Sequence, residues 1–171
     1  VKRLSIDSYK RWLLSFKQPD TFSRNLNAIE AVAGVPGTSI KSLDNTTSPG
    51  WPYNYLKIDR ARIYKINEKG DFVPGDMWHD LLNQTQFQIR MMCNGFLPLN
   101  IFTDTLKYEL RPEAKVNKPR MIAGAPFVHT FNSRIHFGAF MAFMADNYRF
   151  NDVMIGMDPH RDWDWYHRKM E

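Results

Sequence analysis

The chain has 171 residues, enough for one ordinary domain core, and its 43% hydrophobic and 24% charged residues exclude a disordered tail. A formal charge of +5 and a pI near 9.4 suit a polyanionic partner better than a basic substrate. The single cysteine, Cys93, excludes an internal disulfide framework and a Cys-x-x-Cys metal site, and a reducing compartment fits. No signal peptide is read at the start. The longest apolar run, 137–145, is too short to span a bilayer.

The first predicted helix covers 5–17, where Ile6, Tyr9, Leu13 and Phe16 recur at helical spacing behind Ser5 as N-cap. A second runs over 23–33 with Gly34 at its C-cap. Both read as scaffold. Residues 44–55, DNTTSPGWPYNY, then form a rigid irregular loop, because two prolines and a glycine fall within four positions. Its hydroxyls and backbone N–H groups suit phosphate oxygens; an ordinary packed turn anchored by Trp51 and Tyr53 fits the composition as well. Residues 57–72 read as short strands around a turn at 67–70. A helix over 76–92 follows, with Asp76 as cap, Leu81, Leu82, Thr85, Ile89 and Met92 near one face, and Cys93 a small core residue.

The chain's cations concentrate in 105–123, TLKYELRPEAKVNKPRMIA. Lys107, Arg111, Lys115, Lys118 and Arg120 stand there against only Glu109 and Glu113. Leu106, Tyr108 and Leu110 alternate with charged residues at the strand period, and a second extended run starts at Arg120. The spacing predicts a basic hairpin projecting from a sheet. Arg offers phosphate a planar fork and Lys a point charge, although charge alone fits a solvated hairpin equally well. A long helix over 126–147, apolar nearly all round from 137 to 144, should be deeply buried. His129 and His136 are seven apart on it but lack the partners of a metal site. A short strand is read over 153–159. A helix follows, with Asp158 or Asp162 near its N-terminus. His160-Arg161-Asp162 is not a kinase catalytic loop, since the Gly-rich loop and Asp-Phe-Gly are missing.

Four stretches together resemble the fingers region of viral RNA-dependent RNA polymerases of the picornavirus-like group. Lys107-x-Glu-Leu-Arg-Pro, followed by Lys115-Val and Lys118-x-Arg-x-Ile, resembles finger motif F, which roofs the nucleotide tunnel in that family. Thr47-Ser-Pro-Gly-x-Pro-Tyr resembles motif G, which lies along the template path, and the family's order is kept. Ala125-Pro-Phe with Asn132, Arg134, Phe137 and Gly138 resembles the helix supporting the finger motif. Ile155-Gly-Met-Asp-Pro with Trp163 resembles the lead-in to the palm.

The resemblance covers about residues 28–171. It implies an α+β fold, an incomplete fingers subdomain of a right-hand polymerase. In it, 1–43 are N-terminal helices, and 44–104 hold the template loop, short strands and a helix. Residues 105–125 are the basic finger hairpin, and 126–171 the supporting helix and palm lead-in. It implies that Lys107, Arg111, Lys118 and Arg120 face the incoming triphosphate. Thr47, Ser48, Pro49, Gly50 and Lys115 would face the template RNA. It further implies RNA-directed RNA polymerase activity in a longer chain, with nucleoside triphosphates, template and nascent RNA, the palm and thumb, and other viral replication proteins as partners. The setting would be a membrane-associated replication complex in the host cytoplasm. Mg²⁺ or Mn²⁺ would serve the full-length enzyme through palm carboxylates expected beyond this stretch, and none is expected to bind here. No Gly-Asp-Asp occurs in the chain, and Asp158 and Asp162 lie in the lead-in. A stand-alone, non-catalytic RNA-binding module and a purely structural domain are the competing classes. Loss of RNA binding at raised salt separates those two.

Overall fold

A computed structural model describes residues 7–8, 10–11, 14, 24–107, 112–113, 120–151, 155 and 157–170. The first predicted helix lies largely outside them; of the strand predicted over 153–159, the described residues 155 and 157–159 are not extended in a ladder, because a helix already opens at Pro159. The chain divides into two compact units, one made of Val1–Ser42 with Ile135–Glu171 and the other of Leu43–Arg134.

In the first unit, α1 (Ala28–Ala33) starts later than the predicted 23–33. Asn27 sets the start, because its side chain takes the Glu30 N–H at 2.8 Å while the Glu30 carboxylate takes the Asn27 N–H at 2.9 Å. Gly34 closes the helix as expected, donating to the Glu30 carbonyl. Leu26 and Ile40 pack on Ala139 and Ala142, which belong to α4 (Phe127–Asp146). Gly138 is what lets Leu26 approach: a Cβ there would stand 2.6 Å from Leu26 Cδ1. The expected deep burial of this helix fails on its other side, where Phe137 is 62% and Phe140 40% exposed. Small residues at 139 and 142 define the packed face, and the large ones point away from it. After α5 (Tyr148–Asn151), α6 (Pro159–Met170) begins as predicted. Asp158 caps it, taking the His160 N–H at 3.0 Å.

The second unit holds the loop and the hairpin. Residues 60–63, expected to be extended, form the one-turn helix α2 (Arg60–Ile63), entered after Lys57 at positive φ. Strands β1 (Tyr64–Ile66) and β2 (Phe72–Pro74) pair antiparallel around the expected turn. Asn67 organises that turn by accepting the Lys69 and Asp71 N–H groups. Helix α3 (Trp78–Cys93) lacks the expected cap. Asp76 instead pairs with Arg62, whose cation holds its carboxyl below the usual range. Cys93, expected in the core, is exposed at the helix end. Among the described residues, strands β3 (Thr103–Leu106) and β4 (Met121–Gly124) pair only with each other, so there the basic hairpin is a two-stranded ladder rather than an outgrowth of a larger sheet.

Rings fill the core of this unit. Tyr64 stacks on Phe127 at 6.0 Å, Phe127 lies 6.3 Å from Phe131, and Trp78 meets Phe131 edge-on at 5.8 Å. Tyr64, Phe127 and Phe131 are fully buried. Each such side chain contributes about 1.5–3 kcal/mol through removal from water. This cluster fixes the start of α4, and with it the root of the hairpin.

Candidate nucleic-acid interface

The β3–β4 register pairs Thr103 with Gly124 and Leu106 with Met121. It continues one step further, since the Lys107 N–H donates to the Arg120 carbonyl at 2.8 Å. Side chains alternate along a strand, so Lys107 and Arg120 leave the same face directly opposite one another. Both are exposed. Two cations side by side on one face of a ladder suit the oxygens of an anion such as phosphate. Arg111, Lys115 and Lys118 lie outside the described residues.

The loop at 44–50 is held in shape by its own polar groups. Asp44 Oδ1 accepts from the Thr46 N–H at 2.8 Å and from the Thr46 hydroxyl at 2.7 Å. Those bonds hold the Asp44 carboxyl below its ordinary value. The Thr47 hydroxyl donates to the Asp44 carbonyl at 3.0 Å. Ser48 Oγ accepts the Gly50 N–H at 3.2 Å, which leaves the Ser48 O–H to donate elsewhere. Thr47 and Ser48 are exposed, whereas Pro49 and Gly50 are buried. Of the four, only the first two therefore present side-chain groups at the surface. A polar depression of about 360 Å³ lies beside Thr46, Thr47 and Ser48, with Arg60 on its other wall. Below the loop, Tyr53 is fully buried and donates to Asp80 Oδ2 at 2.9 Å. Burial, together with that bond, pushes its hydroxyl well above the ordinary range.

Loop and hairpin meet at one joint. The Phe127 N–H donates to the Pro49 carbonyl at 2.8 Å. Gly50, at φ +69°, sits so close to the chain leaving β4 that a Cβ there would lie 2.6 Å from the Ala125 carbonyl oxygen and 3.1 Å from Pro126 Cα. Only glycine meets both conditions. Residues nearly eighty positions apart are thereby fixed to each other by backbone. The sequence pointed to the two ends of this arrangement but not to Arg60, which sits in a run read as strand and carries no motif of its own.

Other candidates separate. His129 packs edge-on to Phe102, and His136 bonds Asn25 at 3.2 Å. Asp162 is fully buried between Arg149 and Arg161, takes the Tyr148 hydroxyl at 2.5 Å and the Asp158 N–H at 3.1 Å, and is held far below the ordinary carboxyl range chiefly by Arg161. Among the described residues no three His, Cys, Asp or Glu side chains converge. With Asp158 engaged as a cap and Asp162 in its clamp, they do not fit a divalent-metal site.

The family model for viral RNA-dependent RNA polymerase matches residues 9–171. The chain is 32% identical over 143 residues to the genome polyprotein of human hepatitis A virus genotype IIIA (isolate NOR-21), a match covering 82% of the chain and 6% of the polyprotein. It is 33% identical over 138 residues to that of simian hepatitis A virus genotype V (isolate AGM-27), covering 78% and 6%. Among solved structures, a Sicinivirus 3Dpol RNA-dependent RNA polymerase superposes with a TM-score of 0.67 at 26% identity, over 88% of this chain and 31% of that one.

Proposed function

The chain belongs to the viral RNA-dependent RNA polymerase family, and from that premise we propose that it is the fingers region of such an enzyme from a positive-strand RNA virus. In this reading the basic hairpin receives the nucleoside triphosphate and the 44–50 loop guides the template. The observation that carries it is the joint at Pro49, Gly50 and Phe127, which ties a hydroxyl-bearing loop to the root of a hairpin with two opposed cations.

Phosphoryl transfer is catalysed mostly by positioning and by stabilising charge on the transferring group. Lys107 and Arg120 supply positive charge on one face of a rigid ladder. Arg111 and Lys118, further along the same hairpin, join them by family resemblance. Thr47 and Ser48 offer hydroxyls to template phosphates, Pro49 and Gly50 hold their shape, and Lys115 adds charge on the template side. The segments divide accordingly: N-terminal helices over 1–43, the template loop with its strands and helix over 44–104, the hairpin over 105–125, and the supporting helix and palm lead-in over 126–171. Metal ions in such enzymes clamp the attacking and leaving oxygens. Their carboxylates come, in this reading, from the palm of the longer chain. Template and nascent RNA, nucleoside triphosphates, palm, thumb and other replication proteins are the partners, in a replication complex of the host cell. Among the described residues, no helix is long and apolar enough to cross a membrane.

Arg120→Lys, made in the polymerase carrying this chain, keeps the charge and loses the fork. Steady-state incorporation on a primed template should fall on the order of 10²-fold in kcat/KM for the nucleotide, while Glu113→Gln changes little. An Arg120→Lys enzyme as active as its parent would remove Arg120 from the nucleotide site.

A further inference from the structure

Arg60 has no role in either segment of the proposed site, yet it touches the start of the loop and the residue at the root of the hairpin. Its Nη1 donates to the Asp44 carbonyl at 2.9 Å, at the start of the loop. Its Cζ stands 4.7 Å over the ring of Phe127, the residue whose N–H holds Pro49. Its Nε is shut off from solvent and has no hydrogen-bond partner among the described residues. Burial pulls the guanidinium below its ordinary value, only partly offset by Tyr64 and Asp44. The Tyr64 hydroxyl beside it donates to the Leu43 carbonyl at 3.1 Å, closing the loop's first residues down from the same side.

A half-buried guanidinium whose Nε is shut off from water without a partner is a costly way to fill space. What it achieves is a grip in two directions, edge-on to a carbonyl and face-on to a ring. A planar fork can do both at once, and a lysine ammonium cannot. We propose that Arg60 is a positioning residue that locks the template loop to the root of the nucleotide hairpin, so that template and incoming nucleotide are held at a fixed spacing. This rests on the reading of those two segments given above.

The test uses the full polymerase carrying this chain, with Arg60→Lys and Arg60→Met. Nucleotide KM, template Kd with its salt dependence, and the melting temperature are read for each. If Arg60 sets the spacing, both variants raise nucleotide KM and template Kd together, by roughly tenfold, with the salt slope unchanged. Three results overturn the proposal. In the first, Arg60→Lys keeps template affinity while Arg60→Met lowers the salt slope by about one, which marks direct phosphate contact. In the second, the melting temperature falls with KM and Kd unchanged, which marks a structural residue. In the third, one constant moves without the other. If Arg60→Met does not fold, Arg60→Lys decides alone, because it retains stem and charge. Ser48→Ala and Lys107→Met are the controls, expected to raise template Kd and nucleotide KM respectively. If these leave both constants unchanged, the underlying reading of loop and hairpin fails. If they behave and the Arg60 variants do not, only the Arg60 proposal fails.

Discussion

Gly50→Ala probes the joint directly. At φ +69° an alanine pays the steric cost of the left-handed region, about 1–2 kcal/mol. Its methyl would also stand 2.6 Å from the Ala125 carbonyl oxygen and 3.1 Å from Pro126 Cα, both backbone atoms that cannot rotate away. Relieving that contact means separating the loop from the chain after β4, which strains the Phe127–Pro49 hydrogen bond and adds about 1–3 kcal/mol. The sum is about 2–5 kcal/mol. Gly70→Ala is the internal control: its φ is +86°, but nothing lies within 4 Å of the added methyl. It should cost only about 1 kcal/mol. Urea unfolding of the two variants, followed by circular dichroism, measures the difference. If both lose the same stability, Gly50 does not make the close approach, and the backbone joint between loop and hairpin is wrong.

Tyr53→Phe removes the hydroxyl that donates to Asp80 and should cost about 1–2 kcal/mol in the same assay. Asp162→Asn should lower the melting temperature at neutral pH, because a buried carboxylate facing two guanidinium groups is replaced by an uncharged amide. The pH profile carries its own signature. The folded Asp162 has a depressed pKa, so its stabilising contribution is complete above the ordinary carboxyl value of about 3.9 and is lost as pH falls below it towards the folded value. Melting temperatures recorded from pH 6 down to pH 2 should therefore fall more steeply in the parent than in Asp162→Asn; parallel curves would contradict this. RNA binding by the chain should weaken as salt rises, and a Lys107→Met, Arg120→Met double variant should show a shallower slope in filter binding across a salt series.

Where the backbone obeys local chemistry, the sequence was legible. The turn at 67–70 follows from Asn67, and α4 runs over Phe127–Asp146, within a residue of its predicted bounds. The two strands flanking the basic stretch also form, although β3 begins earlier, at Thr103. The misreadings arise where a tertiary partner overrides a local preference. Asp76 is a good capping residue by type, but Arg62 stands across from it. Phe137 and Phe140 are apolar enough for a core, yet the packed face of their helix is the one with alanines. Residues 60–63 alternate like a strand, but the Arg60 guanidinium is drawn in over Phe127, and the chain closes into a helical turn. For the site, motif order pointed to both the loop and the hairpin. That they are joined through Gly50 and Phe127 is a fact of packing, which no spacing in the chain encodes.

In the proposed function the loop faces template and the hairpin faces nucleotide. Photo-crosslinking in the polymerase carrying this chain measures it directly, using 4-thiouridine in the template strand ahead of the primer terminus and, separately, an azido-substituted nucleoside triphosphate. Peptide mapping by mass spectrometry should place the template adducts within 44–55 and the nucleotide adducts within 105–123. Adducts exchanged between those segments, or falling in neither, would contradict the claim.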